Sequence, residues 1–127
     1  MNHTPTIAIV DDDDGVRTAL SSLLRSLGYE VRAYCSGPEF LNDARAGEPD
    51  CMITDVQMAP MTGDQLQAAL IAAGRRFPLI FMTAFPTEAA RQRLLALGAC
   101  AYLDKPVDGA AMARCVADAL QGAKPLQ

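Results

Sequence analysis

Three carboxylates, one hydroxyl and one amine stand where short apolar segments end, and together they could form one reaction centre. These residues are Asp11, Asp12, Asp55, Thr83 and Lys105. Carboxylates that lie close together repel unless a cation sits among them, and oxygen ligands of this kind suit Mg²⁺. The lysine and the threonine add a positive charge and a hydroxyl donor, which a phosphoryl group in transfer needs. The set favours phosphoryl transfer, with Asp55 as the central carboxylate nucleophile.

The sequence gives little indication of a zinc site or of catalysis by a cysteine or serine nucleophile. The only histidine is His3, and the four cysteines show no CxxC spacing, so neither a zinc site nor a Cys–His or Ser–His pair is indicated. Each cysteine lies in or beside an apolar segment, and we expect four free, buried thiols. The N-terminal residues lack the pattern of a signal peptide, and no apolar run is long enough to span a membrane, so we expect a cytoplasmic protein.

Apolar runs with the length of strands alternate with segments of helical period. The predicted strands are Thr6–Val10, Tyr29–Cys35, Cys51–Thr54, Leu79–Thr83 and Ala101–Leu103. Between them the apolar residues recur with the spacing of a helix face, as at Val16, Leu20, Leu24 and Leu27. A short helix is expected at Pro38–Ala46, and the longer helices are expected to end at Gly28, Gly74 and Gly98.

This alternation predicts a doubly wound α/β fold, (βα)5, with a parallel sheet covered on both faces. Tyr29–Cys35 alternates in polarity and is therefore expected at a sheet edge. In such sheets ligands bind beyond the carboxyl ends of the strands, where the candidate residues fall. The 127 residues are enough for one domain, with a core at about residues 6–121 and a tail at 122–127. A net charge of −4 argues against direct binding to nucleic acid.

The motifs resemble the receiver domain of two-component response regulators over about residues 6–120. The matching pieces, in order, are IVDD at Ile9–Asp12, TD at Thr54–Asp55, MTG at Met61–Gly63, MTA at Met82–Ala84 and YLDKP at Tyr102–Pro106. The segments TAFP and YLDKP look most like receivers of the nitrogen-fixation-regulator type. The resemblance implies a flavodoxin-like strand order, 2-1-3-4-5.

The resemblance also implies roles for single residues. Asp55 would accept a phosphoryl group from a sensor histidine kinase or a phosphotransfer protein. Mg²⁺, or Mn²⁺ in its place, would be held by Asp12, Asp55 and the backbone carbonyl of Gln57, with Asp11 acting mainly through water. Thr83 and Lys105 would bind the phosphoryl oxygens.

The same resemblance implies how the signal would leave the domain. Tyr102 would swing inward as the Thr83 hydroxyl moves, and the peptide between Lys105 and Pro106 would be cis. The fourth helix, fifth strand and fifth helix would form the surface that changes, for an output domain, another protein or a second copy. Such a protein is a signalling switch rather than a metabolic enzyme, with no membrane contact expected.

Two positions depart from the pattern of the family. The proline usually found four residues after the acceptor is replaced by Ala59 and follows as Pro60, while Met61 and Gly63 keep their places. Phe85 stands two residues after Thr83, where many relatives have a polar residue. We expect its ring to shield the acyl phosphate from water, so that Phe85, together with Gln57, would set the dephosphorylation rate.

Three other interpretations remain open at this point. Asp12-x-Asp14-Gly15-Val16 looks like the nucleophile motif of haloacid-dehalogenase-type phosphatases, with Asp12 as nucleophile. A receiver-like module that never takes phosphate would have the same fold. A flavin-binding module is disfavoured because four aspartates after the first strand would repel a phosphate. Asp13 or Asp14 is expected simply to cap the first helix.

Overall fold

The structure, a computed structural model, describes residues 3–43 and 47–122. Strands and helices alternate along these residues. The strands are β1 (Thr6–Val10), β2 (Glu30–Tyr34), β3 (Cys51–Asp55), β4 (Leu79–Thr83) and β5 (Ala101–Asp104). The helices are α1 (Asp14–Ser26), α2 (Gly37–Leu41), α3 (Gly63–Ala72), α4 (Glu88–Ala96) and α5 (Gly109–Gly122).

The strands form one parallel sheet in the order β2-β1-β3-β4-β5. This confirms the predicted (βα)5 fold and places β2 at an edge, as its alternating polarity indicated. Because β1 and β3 are neighbours although β2 separates them in sequence, the chain reverses its direction of winding at β1. The carboxyl ends of β1 and β3 therefore lie side by side at the point where α/β folds bind ligands.

Two apolar layers hold the helices against the sheet. On one face α2, α3 and α4 pack on β-strand side chains, and the buried residues include Phe40, Met52, Leu66, Phe81 and Leu94. On the other face Leu24 of α1 and Met112 of α5 pack with the strand residues Ile7, Ile9, Ile53 and Met82. Burial on both faces explains why the three central strands read as almost continuous apolar runs.

Helix ends follow the residues that the sequence offers for them. The backbone after α1, α3 and α4 has positive φ at Gly28 (94°), Gly74 (71°) and Gly98 (109°), the left-handed region that favours glycine. Asp13 caps α1, because its carboxylate accepts a hydrogen bond from the Val16 N–H at 3.0 Å. Thr62 and Gln65 form a capping box at the start of α3.

Several expectations about burial and boundaries were wrong. Of the four cysteines, all free, Cys51 is buried and Cys115 is half-buried, whereas Cys35, just after β2, and Cys100, just before β5, are exposed. In β2 the buried side chain is Tyr34, which packs edge-on against Phe40 with ring centroids 5.2 Å apart.

Two predicted segment ends also change. Helix α5 continues through Gly122, which was expected to begin the tail, and residues 123–127 lie outside the described part. Helix α2 ends at Leu41, and the predicted extension to Ala46 falls partly on residues 44–46, which are also outside it. Within residues 3–43 and 47–122, no helix has the length and apolar character needed to cross a membrane.

Candidate functional site

The candidate side chains from four strands converge at one edge of the sheet. Asp11 directly follows β1, Asp55 ends β3, Thr83 ends β4 and Lys105 directly follows β5. Parallel strands bring their carboxyl ends to the same edge, so residues up to 94 positions apart in sequence come within hydrogen-bond distance. Asp11, Asp55 and Thr83 are buried, while Asp12 beside them is exposed to solvent.

Asp11, Asp12 and Asp55 form an acidic cluster. Each offers a carboxylate oxygen, and these oxygens all lie within 4.8 Å of one another. Three oxygen ligands of this kind, two buried and one open to solvent, match the coordination that Mg²⁺ prefers, with its remaining positions filled by water or phosphate. The donor set therefore fits a magnesium ion and equally its close substitute Mn²⁺.

Lys105 bridges the two buried carboxylates. Its Nζ lies 3.0 Å from Oδ2 of Asp11 and 3.2 Å from Oδ2 of Asp55. Burial alone would lower the pKa of Lys105, but the hydrogen bond and charge of Asp11, followed by those of Asp55, outweigh it and raise the pKa. The amine is therefore positively charged at neutral pH and is held beside both carboxylates.

The Asp55 carboxylate is held in an unfavourable environment for a negative charge. Burial, and then repulsion by Asp11, raise the pKa of Asp55 above its usual value. Hydrogen bonds from Lys105 and from the backbone N–H of Gln57 oppose this rise without cancelling it. A cation or a positively polarised phosphorus beside Asp55 would relieve the repulsion, so the site favours both.

Asp11 is fixed by contacts that the sequence analysis did not identify. Its Oδ1 accepts a hydrogen bond from the Asp13 N–H at 2.9 Å, and its backbone carbonyl accepts one from Arg17 Nη1 at 2.6 Å. Arg17 also forms an ion pair with Asp14. The three-residue spacing of Asp14 and Arg17 at the start of α1 is the one feature of the sequence that could have predicted this ion pair. These contacts orient Asp11 toward Lys105 and Asp55.

The Thr83 hydroxyl is already engaged on both sides. Its Oγ1 donates to Oε1 of Gln57 at 2.6 Å and accepts from the Phe85 N–H at 3.0 Å. From the sequence, Gln57 was expected to contribute its backbone carbonyl and to affect dephosphorylation, whereas its side-chain contact with Thr83 was not expected. The ring of Phe85 is 71 % exposed, so in this structure most of it faces solvent instead of covering Asp55.

Tyr102 pairs in register with Phe81 in the middle of β4, and its side chain lies on the face covered by α2, α3 and α4. Its half-buried ring packs against that layer, and its hydroxyl accepts a hydrogen bond of 3.1 Å from the Thr87 N–H at the start of α4. The side chain therefore joins β5 to the first turn of α4. This position connects the sheet edge that carries Thr83 to a helix of the predicted output surface.

The loop between β3 and α3 passes very close to Asp55. A Cβ atom at Gly63 would lie 2.3 Å from the backbone oxygen of Asp55, so only glycine fits there. The Gly63 N–H donates to the Val56 carbonyl at 2.8 Å, which closes the loop. The peptides before Pro60 and before Pro106 are both cis. Pro60, the proline displaced by one position, thus lies in a loop that packs closely against the end of β3 at Gly63.

The arrangement does not favour the phosphatase interpretation of Asp12 and Asp14. Asp14 is the first residue of α1, and its side chain is 90 % exposed and paired with Arg17. Only Asp12 of the two belongs to the acidic cluster. The carboxylate buried beside Asp11 and Lys105 is Asp55.

This fold and site define a receiver-type module, and comparison with known proteins agrees. The family profile for the response regulator receiver domain matches residues 7–117. The chain belongs to the response regulator receiver domain family, which confirms the resemblance seen in the motifs.

The relatives include regulators of about twice the length. The chain is 38 % identical over 100 residues to the response regulator protein TmoT of Ectopseudomonas mendocina, covering 79 % of this chain and 46 % of that protein. It is 34 % identical over 116 residues to the transcriptional regulatory protein FixJ of Azorhizobium caulinodans, covering 91 % and 55 %. The chain thus spans about half the length of these curated relatives.

Solved structures show the same fold. The crystal structure of FixJ-N superposes with a TM-score of 0.86 at 25 % identity, covering 99 % of this chain and all of that one. A response regulator receiver protein from Burkholderia phymatum gives a TM-score of 0.81 at 41 % identity, covering 97 % of this chain and 100 % of that chain.

Proposed function

We propose that this receiver domain takes a phosphoryl group onto Asp55 from a phosphohistidine of a sensor kinase or a phosphotransfer protein. A carboxylate oxygen of Asp55 forms a bond to phosphorus, the bond between phosphorus and the histidine nitrogen breaks, and the histidine leaves with the electron pair and gains a proton. The observation that carries the proposal is the buried Asp55 carboxylate, beside Asp11 and bridged to it by Lys105 Nζ.

Each neighbouring group has a role in this transfer. Lys105 pairs with the phosphoryl oxygens as the charge on them develops, and the Thr83 hydroxyl donates to one of them. Asp11, Asp12 and Asp55, with the backbone carbonyl of Gln57, would hold Mg²⁺ or Mn²⁺. The ion, when bound, neutralises the charge that builds up on the phosphoryl oxygens. Gln57 and Phe85 border the same space and would control the access of water to the acyl phosphate.

We infer that the signal is passed on through the face formed by α4, β5 and α5. Tyr102 supports this, because its hydroxyl is bonded to the Thr87 N–H at the first turn of α4 while its backbone belongs to β5, next to β4. Thr83, where β4 ends, pairs in register with Asp104 of β5. A change at Thr83 would therefore reach β5 directly and α4 through Tyr102. The partners would be an output domain, as the longer relatives suggest, another protein, or a second copy of this chain. We place this reaction in the cytoplasm, where the four free thiols are stable.

Intact-mass spectrometry after incubation with acetyl phosphate tests the assignment of Asp55. The wild-type chain is expected to gain one phosphoryl mass in the presence of Mg²⁺ and much less after chelation. Asp55→Asn is expected to gain none, whereas Asp118→Asn, an exposed aspartate on α5, is expected to match the wild type.

Two outcomes would contradict the proposal. If the wild-type chain gains no mass from acetyl phosphate or from a phosphorylated histidine kinase, Asp55 is not a phosphoacceptor. If Asp55→Asn still gains the mass and Asp12→Asn does not, the nucleophile is Asp12 and the phosphatase interpretation applies.

A further inference from the structure

Four consecutive aspartates, at residues 11–14, fill the loop between β1 and α1 and the first position of α1. The first two belong to the acidic cluster. Asp11 is buried and contacts Lys105, whereas Asp12 is exposed and completes the cluster from the solvent side. The two acids follow each other in the chain, so the distance between their carboxylates depends on how this loop is held. A residue that holds the loop would therefore act on any cation that the cluster binds.

The other two aspartates hold the loop at its far end. Asp13 is the N-cap of α1, and its N–H donates to Oδ1 of Asp11 at 2.9 Å. This bond spans Asp12 and fixes the residues on either side of it. Asp14 forms an ion pair with Arg17, three residues further along α1. The loop is therefore tied both to itself and to the helix that follows.

Arg17 ties the loop to α1 with both arms of its guanidinium. Its Nη1 donates to the backbone carbonyl of Asp11 at 2.6 Å, and its Nη2 pairs with Asp14. The Arg17 side chain is only 20 % exposed, so this contact with the carbonyl is partly shielded from water, and a hydrogen bond from a charged donor is among the stronger ones. The N–H groups of a guanidinium lie in one rigid plane, so the arm held by Asp14 fixes the direction of the arm on Asp11.

The charge of Arg17 and its contacts have opposite consequences for a cation. A positive charge beside the acidic cluster repels Mg²⁺, so removing it should strengthen binding of the ion. Loss of Arg17 would also leave the charge of Asp14 without this partner, which again favours the ion. Loss of the hydrogen bond to the Asp11 carbonyl, in contrast, frees the loop and should weaken binding. The sign of the change therefore shows which of the two effects prevails.

We propose that Arg17 is a positioning residue for the divalent cation of the phosphoacceptor site. Through the backbone carbonyl of Asp11, it holds the loop so that the carboxylates of Asp11 and Asp12 can reach the same ion as Asp55. Groups that hold metal ligands in place often affect metal affinity by tenfold or more. The inference rests on the proposed function for the identity of the ion, and it extends the site to a residue outside the acidic cluster.

Titration of the ¹⁵N-labelled full chain with magnesium chloride, followed by NMR, measures the affinity without any phosphoryl donor. The backbone amides of Asp12 and Gln57 are the reporters. Arg17→Gln is expected to raise the Kd for Mg²⁺ about tenfold. Arg25→Gln makes the same change of charge at an exposed position in the last turn of α1 and is expected to bind as the wild type does. Chemical unfolding in the presence of a chelator checks that both variants keep the fold.

Arg17→Lys separates the contact from the charge. Lysine keeps the positive charge and a donor that can reach the Asp11 carbonyl, but it lacks the rigid fork that also engages Asp14. We expect a Kd between those of the wild type and Arg17→Gln, about threefold above the wild type. If Arg17→Gln fails to fold, the comparison of Arg17→Lys with the wild type still decides, because the charge is the same in both.

The reaction with acetyl phosphate gives a second readout. In Arg17→Gln the Mg²⁺ concentration for half the maximal rate of mass gain should rise about tenfold, in step with the Kd. The rate at saturating Mg²⁺ should stay within about twofold of the wild type, because Asp55 and Lys105 are unchanged. A merely structural loss would lower the maximal rate instead.

Three results would overturn the proposal. One is Mg²⁺ binding by Arg17→Gln that is as tight as in the wild type or tighter, or weaker binding by Arg17→Lys than by Arg17→Gln, since charge then prevails. Another is an equal rise of the Kd in Arg25→Gln. The third is the absence of saturable shifts in the wild type at about 20 mM Mg²⁺. Failure of the proposed function is a separate result, because it is the absence of mass gain at Asp55 and leaves the Mg²⁺ titration unaffected.

Discussion

The hydroxyl of Thr83, the last residue of β4, donates a 2.6 Å hydrogen bond to the side-chain oxygen of Gln57, which lies in the loop after β3. A threonine hydroxyl has one proton, so it cannot donate to Gln57 and to a phosphoryl oxygen at the same time. The bond to Gln57 must therefore break before Thr83 takes part in phosphoryl binding. Gln57 competes with the phosphoryl group for this proton.

Replacing Gln57 with methionine is expected to speed phosphorylation of Asp55 by acetyl phosphate about fivefold, the effect of losing one competing hydrogen bond. Methionine keeps the length of the side chain and the backbone carbonyl but removes the strong acceptor. The measurement is the initial rate of mass gain. Gln92→Met, at an exposed position on α4, serves as the matched control and should behave as the wild type.

The double variant shows whether the effect passes through the hydroxyl. In a Thr83→Ala background, Gln57→Met is expected to change the rate no further, because the competition no longer exists. An acceleration of equal size in both backgrounds, or a slower reaction in the single variant, would contradict the competition between Gln57 and the phosphoryl group.

Phe85 is expected to prolong the phosphorylated state. Its backbone N–H is bonded to Thr83 Oγ1, so its side chain starts beside the site, and the exposed ring is free to turn over the acyl phosphate. Phe85→Ala should shorten the half-life of phospho-Asp55 several-fold once acetyl phosphate is removed, since water then reaches the phosphorus more easily. Leu27→Ala, an exposed apolar residue after α1, is the control. An unchanged half-life in Phe85→Ala would show that the ring does not shield the phosphate.

Asp55→Asn is expected to stabilise the fold at neutral pH when no divalent cation is present. Burial and the charge of Asp11 raise the pKa of Asp55, so its ionised form costs stability at every pH above its ordinary value of 3.8. The free energy of unfolding of Asp55→Asn should therefore exceed that of the wild type at pH 7, and this gain should disappear below about pH 4. Chemical unfolding at several pH values measures it.

Mg²⁺ is expected to have the opposite effect on the difference in stability between the wild-type chain and Asp55→Asn. Binding of Mg²⁺ to the acidic cluster should stabilise the wild-type chain and should stabilise Asp55→Asn much less, because a carboxylate ligand is missing. Asp118→Asn should respond to Mg²⁺ as the wild type does. Equal stabilisation of all three chains would show that the ion does not bind at the acidic cluster.

The meeting of Asp11, Asp55, Thr83 and Lys105 at one edge was predictable from the sequence. Their placement depends only on the order of elements and on strands being parallel, and both follow from apolar runs that alternate with helical periods. Gly28 and Gly98 were predictable as helix ends for a similar local reason, since a helix that ends on positive φ favours glycine.

The contacts that tune the site were not predictable in the same way. The bond between Gln57 and Thr83 depends on the rotamers of two side chains and on the path of the loop after β3, neither of which leaves a periodic signal. The exposure of Cys35 and Cys100 escaped for a related reason. Whether the side chain of a cysteine just outside a strand is covered depends on the path of the chain around it, which composition does not reveal.

Gly63→Ala is expected to damage the fold and the phosphoacceptor site together. The added Cβ would lie 2.3 Å from the Asp55 backbone oxygen and 3.0 Å from Val56 Cα. Backbone atoms cannot move aside by changing rotamer, so the end of β3 or the start of α3 must shift. We expect a loss of about 2 kcal/mol in the free energy of unfolding, typical of an overpacked position, and a slower mass gain from acetyl phosphate. At Gly109, where an added Cβ would meet only Leu23 side-chain atoms at 3.9 Å, the same substitution should leave both measurements near the wild type. If Gly63→Ala unfolds and reacts as Gly109→Ala does, the close approach of this loop to Asp55 is not required for the site.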